Sequence, residues 1–220
     1  MEAAKYVEGF EVRNRLAELG LDEQMLIEAV QRGHAAWNTC TPNHPPMFPG
    51  YLAWAEAVRA LREATVLTGW QRCDEGNLPF TVNSTGSVAL AVATGDEDTG
   101  RMLGSPCTKA RKGPMTAKAV AENHGQLSLF ENIPLLPEDV ERINGRMTWL
   151  LLMYRDKELR ELRCELSRPI NIGEDGRVDG WAERIILAST PFDADEVSVT
   201  RGGPSAPQSP EIIVEVKKRA

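Results

Sequence analysis

The residues of this sequence best suited to bind a metal are two histidines and two cysteines in its first third: His34, Cys40, His44 and Cys73. All four belong to the side-chain types that ligate zinc in tetrahedral sites. Their spacing matches no compact zinc finger, because His34 falls near the end of one predicted helix and Cys73 lies beyond another. We therefore predict no metal site here, but a surface pair of histidines and a buried thiol.

Carboxylates offer a second chemistry, which is phosphodiester hydrolysis with a divalent cation. Asp96, Glu97 and Asp98 follow a predicted strand. Three consecutive side chains cannot all point the same way from a strand, and the glycines around them indicate a turn. This run predicts a solvated acidic turn rather than a metal site.

A nuclease site is a further alternative near the end of the sequence. Asp193 or Asp195 together with Glu215 and Lys217 resembles the PD-(D/E)xK nuclease pattern, in which the glutamate and lysine share one strand face beside a metal. Only three residues follow Lys217, so the helix expected after that strand is missing. An edge strand that carries charged side chains against aggregation is the favoured interpretation.

Signatures of the common enzyme classes are absent from the sequence. It contains no P-loop, no GxGxxG after a strand, no GxSxG and no HExxH, and only three histidines for acid–base catalysis. We therefore expect no catalytic residues, no cofactor and no enzymatic activity.

Composition and charge narrow the cellular location and the kinds of partner that we expect. With 42% hydrophobic and 26% charged residues the chain is typical of a globular protein, and no apolar run approaches the roughly 20 residues that cross a bilayer. The four cysteines are widely spaced and no signal peptide is evident, so we expect a cytoplasmic protein with no membrane contact. The net charge of −7 argues against general affinity for nucleic acid, except through a locally basic stretch at residues 101–118.

One short motif stands out between that basic stretch and the last third of the chain. It consists of Gln126, Leu127, Ser128, Leu129 and Phe130, with polar or helix-breaking residues on both sides. By average residue usage, such a match arises by chance in about one of several thousand proteins of this length. An ordinary half-buried strand is the alternative interpretation of the same apolar residues.

At all five positions the motif resembles the peptide by which polymerases, repair proteins and initiation regulators dock on the bacterial sliding clamp. In that recognition mode a short extended peptide places apolar anchors in preformed pockets. The resemblance implies that Leu129 and Phe130 fill the deep pocket, that Leu127 makes a smaller contact and that Gln126 hydrogen-bonds at the rim. Ser128 would face largely outward.

The chain as a whole resembles uncharacterised proteins of prophages and integrated mobile elements, notably through residues 77–83, 92–101 and 180–187. The leading hypothesis is thus a non-enzymatic adaptor or modulator that docks on the replication clamp and engages a second host protein or complex. One alternative is an acidic inhibitor of a host defence or nucleic-acid-processing complex, of the anti-CRISPR or anti-restriction type. A metal-dependent nuclease is the other alternative.

Periodicity predicts helices first and strands afterwards. Apolar residues at helical spacing indicate three helices before residue 66, with Asp22 as a cap, Gly33 as a stop and a proline-rich crossing at residues 41–50. Residues 80–83 and 87–93 predict a hairpin buried on both faces, since Val88, Leu90 and Val92 alternate with alanines.

The remaining strands are predicted in the last third, at residues 149–154, 162–167, 181–187, 197–199 and 212–216. In the second of them, Leu162, Cys164 and Leu166 alternate with polar residues, which predicts one solvated face. The fold class is therefore α+β. Its expected organisation is a helical region with a hairpin (1–94), a mobile linker with the basic stretch and the motif (95–136) and an antiparallel β domain (137–220).

Overall fold

The computed structural model describes residues 3–76, 78–132 and 146–192, with the backbone alone at 127–132. The helices are α1 (Gly9–Glu18), α2 (Glu23–Asn38), α3 (Phe48–Val66) and α4 (Pro114–Asn132). The strands are β1 (Ala4–Tyr6), β2 (Gln71–Glu75), β3 (Leu78–Val82), β4 (Val88–Thr94), β5 (Met147–Asp156), β6 (Glu161–Ile172), β7 (Val178–Ile186) and β8 (Thr190–Pro191). This arrangement confirms the α+β class. Within the described ranges, no helix combines the length and the apolar character that crossing a bilayer requires.

The N-terminal helices begin largely where the sequence predicts. The Asp22 side chain accepts a hydrogen bond from the Met25 backbone N–H at 3.1 Å, which confirms the predicted cap of α2. The prediction that Gly33 ends this helix is wrong, because α2 continues to Asn38. A Cβ at Gly33 would lie 2.5 Å from the Ala53 carbonyl oxygen. The glycine thus permits close approach of α2 and α3.

A mixed sheet of eight strands forms the centre of the fold, in the order β1-β7-β6-β5-β4-β3-β2, with β8 paired to β6. The predicted β3–β4 hairpin and the antiparallel run from β5 through β7 are both present. Two pairs are parallel, β1 with β7 and β4 with β5. Strands from the predicted regions 1–94 and 137–220 therefore share one sheet. The strands predicted at 197–199 and 212–216 lie outside the described residues.

Each face of the sheet carries its own apolar core, as β4 illustrates. Val88, Leu90 and Val92 pack with α1, α2 and α3, together with Trp149 of β5. The alanines between them pack on the opposite face with Val120 of α4. This strand is buried on both faces, as its alternation predicts.

The solvated face predicted for β6 is wrong. Arg163, Glu165 and Ser167 are all buried, and Glu165 is fully so. Residues 95–113, which connect β4 to α4, cover this face of the strand. Apolar and polar side chains do alternate along β6, but both sets face the interior.

An ion pair beneath residues 95–113 holds this segment on the sheet. Arg184 donates to the two carboxylate oxygens of Glu165 at 3.0 and 2.6 Å. The same carboxylate accepts the Gly100 backbone N–H at 2.8 Å, and Arg184 donates to the Gly104 carbonyl at 2.6 Å. Within the segment expected to be a mobile linker, 95–136, the described residues 95–132 form a packed loop followed by α4. We call residues 95–113 the covering loop.

Candidate functional site

The clamp-type motif lies at the C-terminal end of α4. The resemblance implied an extended peptide, but the backbone of residues 126–130 is helical. Gln126 is buried on the face of α4 that packs on the sheet. The side chains of Leu127, Ser128, Leu129 and Phe130 lie outside the described residues.

A stripe of buried side chains explains why this segment is helical. Thr116, Val120 and Asn123 follow one another at spacings of four and three residues and, with Ala119 and Gln126, form the buried face of α4. Three of these five residues are polar and one is alanine, so the hydrophobic periodicity is weak. The sequence feature that would have indicated this helix is the spacing of its small and amide side chains, not of large apolar ones.

Asn123 fixes the middle of α4 to the sheet through three hydrogen bonds. Its Nδ2 donates to the Thr148 carbonyl at 2.8 Å and to the Pro169 carbonyl at 2.9 Å. Its Oδ1 accepts the Thr148 backbone N–H at 3.0 Å. Gln126, one turn further on, differs sharply: its Nε2 is buried and has no hydrogen-bond partner among the described residues. The hydrogen bonds that attach α4 to the sheet are therefore made at Asn123 and not by the Gln126 Nε2.

The four zinc candidates are held in different local contacts. His34 is buried in α2 and lies 3.1 Å from the Asn38 side chain, whereas the His44 ring stacks on Phe48. Cys73 on β2 contacts Glu75, which raises the pKa of its thiol. The expected surface pair of histidines is thus wrong for His34, and Cys73 is only half-buried. In the described part of the chain, no three His, Cys, Asp or Glu side chains gather as a metal site would require.

The acidic residues after β4 shape the covering loop. Asp96 accepts the backbone N–H groups of Asp98 and Cys107 at 3.2 and 3.0 Å, and Asp98 accepts that of Ser105 at 3.1 Å. These carboxylates act as turn acceptors, as the glycines around them suggest. The nuclease candidates Asp193, Asp195, Glu215 and Lys217 lie outside the described residues.

The basic stretch at residues 101–118 is divided among several local environments. Arg101 lies 3.7 Å from Asp156, and Lys118 lies 3.8 Å from Glu122. Burial lowers the pKa of Lys112. Lys109 is exposed and lines a cavity that residues of α2, α3, β4 and β5 also line.

That cavity has a volume of about 500 Å³ and was not anticipated from the sequence. It opens where the parallel strands β4 and β5 end, between the second half of α2 and the start of α3. Trp37, Met153, Tyr154 and Arg155 contribute to its walls. These side chains come from distant parts of the chain, so no local motif could have indicated the cavity.

Comparison with known proteins adds no relationship: no family model, curated protein or solved structure matches this chain.

Proposed function

We propose that the protein is a non-enzymatic adaptor that docks on the bacterial replication sliding clamp through residues 126–130. The observation that carries this proposal is the match at all five positions of the motif. Leu129 and Phe130 are the apolar anchors, worth about 1.5–3 kcal/mol each when fully buried in a pocket. Gln126 supplies the polar contact that fixes the register.

Docking in the extended mode requires the end of α4 to leave the sheet and unwind. Two features lower the cost of this step. Burial of the Gln126 Nε2, which has no hydrogen-bond partner among the described residues, disfavours the packed helix by about 1–3 kcal/mol, and this penalty is relieved on release. Gly125 disfavours the helix by roughly 1 kcal/mol relative to alanine.

The proposed hinge therefore lies between Asn123 and Gln126. The hydrogen bonds of Asn123 keep the first part of α4 in place while residues 126–130 extend. Short peptides of this type give weak attachment on their own. An adaptor of this kind consequently needs a second surface on its folded part to select its other partner.

The direct test is binding of the full chain to purified bacterial sliding clamp, measured by surface plasmon resonance. We expect Leu129→Ala combined with Phe130→Ala to weaken binding more than tenfold, because both anchors are lost. Leu103→Ala combined with Leu159→Ala is the matched control, since these leucines are 90% and 62% exposed and lie outside the motif. Equal affinity of the motif variant and the wild type would overturn the proposal, provided that both give the same unfolding curve.

A second measurement tests the unwinding step. A Cβ at Gly125 would have no atom within 4 Å, so Gly125→Ala is sterically tolerated and strengthens the helix. We expect it to weaken clamp binding about fivefold, which corresponds to roughly 1 kcal/mol of added helix stability. A synthetic peptide of residues 123–133, which has no packed state to leave, should be insensitive to the same change.

A further inference from the structure

The cavity between α2, α3 and the ends of β4 and β5 has the position and size of a small-molecule site. Ligands of α/β sheets bind beyond the carboxyl ends of parallel strands, and β4 and β5 form such a pair. Thr94 at the end of β4 and Arg155 near the end of β5 both line the cavity. Its volume of about 500 Å³ lies within the range of pockets that enclose drug-sized molecules.

The lysine and arginine of the cavity lining have no acidic counterpart there. Arg155 and Lys109 both line the cavity, and its described lining contains no carboxylate. Buried arginines elsewhere in the described chain are paired with acids, as Arg184 is with Glu165 and Arg163 with Asp156. Arg155 differs from them, because no carboxylate among the described residues forms an ion pair with it. Its Nε, like that of Arg163, is buried without a hydrogen-bond partner among the described residues. Burial also lowers the pKa of Arg155, so the folded chain bears a cost for keeping this cation charged.

Aromatic rings surround this cation. The Arg155 guanidinium carbon lies 4.7 Å from the ring centre of Phe192 and 6.0 Å from that of Trp37. Met153 extends the apolar wall, whereas the Tyr154 ring lies against the Arg163 guanidinium, 5.0 Å from its carbon. Such contacts hold a guanidinium in place while leaving its N–H groups available to an acceptor.

The start of α3 adds a favourable electrostatic contribution. Met47, the residue before the helix, lines the cavity, and no side chain caps this helix end. An uncapped helix N-terminus favours a negative charge nearby.

We propose that this cavity binds a small molecule that combines a planar ring with one anionic group. The ring packs on the Trp37 side of the cavity, and the anionic group accepts hydrogen bonds from Arg155, with Lys109 in the same lining. A carboxylate and a phosphate share this chemistry, so the test includes one probe of each kind.

Two matched pairs of probes are titrated into the full chain and followed by backbone amide NMR shifts. The first pair is indole-3-acetate with indole-3-acetamide, and the second is adenosine monophosphate with adenosine. We expect the anionic member of at least one pair to bind ten times or more tightly than its neutral partner, with shifts around Trp37 and Arg155. Whichever pair shows this preference identifies the anionic group.

Variants of the two cations then test the assignment. Arg155→Met retains a long unbranched side chain but removes the guanidinium. It is expected to abolish the preference for the anionic probe. Lys109→Gln is expected to reduce that preference several-fold, whereas Arg111→Gln, an exposed change of the same charge outside the cavity lining, should leave it intact.

Three results would each overturn the proposal. The first is that none of the four probes binds at millimolar concentration. The second is equal affinity within both pairs. The third is an unchanged charge preference in an Arg155→Met protein that retains the wild-type amide spectrum elsewhere.

Discussion

Arg184 of β7 and Glu165 of β6 are diagonal neighbours in the sheet, and two hydrogen bonds of 3.0 and 2.6 Å join them beneath the covering loop. Both side chains are almost completely buried, with exposures of 2% and 0%. The pair also binds the backbone of the loop at Gly100 and Gly104. One ion pair therefore joins two strands and the segment that crosses them.

Replacement of one partner should be far more harmful than replacement of both. Arg184→Met leaves the Glu165 carboxylate buried without its cation, so we expect the free energy of unfolding to fall by about 3–5 kcal/mol. Urea unfolding of the purified protein measures this loss. The double variant Arg184→Met/Glu165→Leu removes both charges and should recover at least half of the lost free energy of unfolding. A double variant that is less stable than Arg184→Met would show that the unpaired Glu165 charge does not cause the loss of stability.

The covering loop should resist trypsin in the wild-type protein, although it contains several basic residues. Lys109 N–H donates to the Thr94 carbonyl and Lys112 N–H to the Gly176 carbonyl, both at 2.9 Å. A protease needs such backbone freed before it can cleave. We expect Arg184→Met to expose the loop and to accelerate cleavage at Arg101 and Lys109, as read by mass spectrometry of early fragments. Rapid wild-type cleavage at these two residues would contradict the packed arrangement.

Gly33→Ala should destabilise the contact between α2 and α3. The added methyl group would lie 2.5 Å from the Ala53 carbonyl oxygen, a backbone atom that can move only with its helix. We expect a loss of about 1–3 kcal/mol, as for other overpacked positions. Gly113→Ala is the matched control, because a Cβ there meets no atom within 4 Å. Thermal unfolding of the two variants side by side gives the comparison.

Asn123→Ala should loosen α4 from the sheet. The change removes three hydrogen bonds and leaves the buried Thr148 N–H without its acceptor. We expect a loss of at least about 2 kcal/mol, since a single orphaned buried group costs roughly 1–3 kcal/mol. Amide hydrogen exchange at residues 114–126 should accelerate as well. His124→Ala, at an exposed position of the same helix, should change neither quantity appreciably.

The contribution of the Glu75–Arg146 pair to stability should depend on pH. Hydrogen bonds of 2.7 and 3.1 Å from Arg146 lower the pKa of Glu75 to about 2. A carboxyl group whose pKa is lowered by folding stabilises the protein above its unfolded pKa, here 4.5, and this effect fades as the pH falls towards 2.

The stability difference between the wild type and Arg146→Gln should therefore be constant near neutral pH and shrink below about pH 4.5. The Glu75 side chain is 34% exposed, so screening by solvent keeps this difference to about 1 kcal/mol at most. Urea unfolding at several pH values provides the curve. A difference that stayed constant down to pH 3 would contradict the assigned pairing.

Local patterns predicted the parts of the fold whose signal is contained in one segment. The alternation of valine and leucine with alanine in β4 and the cap at Asp22 are both of this kind, because each depends on residues a few positions apart. The charged residues of β6 show the limit. Arg163 and Glu165 have the pattern of a solvated face, and their burial depends in part on partners 66 and 19 residues away, which the local sequence does not show.

The same limit applies to the two candidate sites. The motif at Gln126 was evident from the sequence, but its helical backbone depends on a stripe of small and amide side chains and on the Asn123 contacts with two distant strands. The cavity depends on Trp37, Lys109 and Arg155, which come from α2, the covering loop and β5, and on the parallel pairing of β4 with β5, whose ends border it. Sequence periodicity carries no information on that pairing.

The parallel pairing of β1 with β7 has a consequence for the order in which the chain folds. Ala4, Lys5 and Tyr6 find their partners at Glu183, Arg184 and Ile185, a separation of 179 residues. A ribosome must therefore release nearly the whole described chain before this edge of the sheet can form, and until then the first strand has no template.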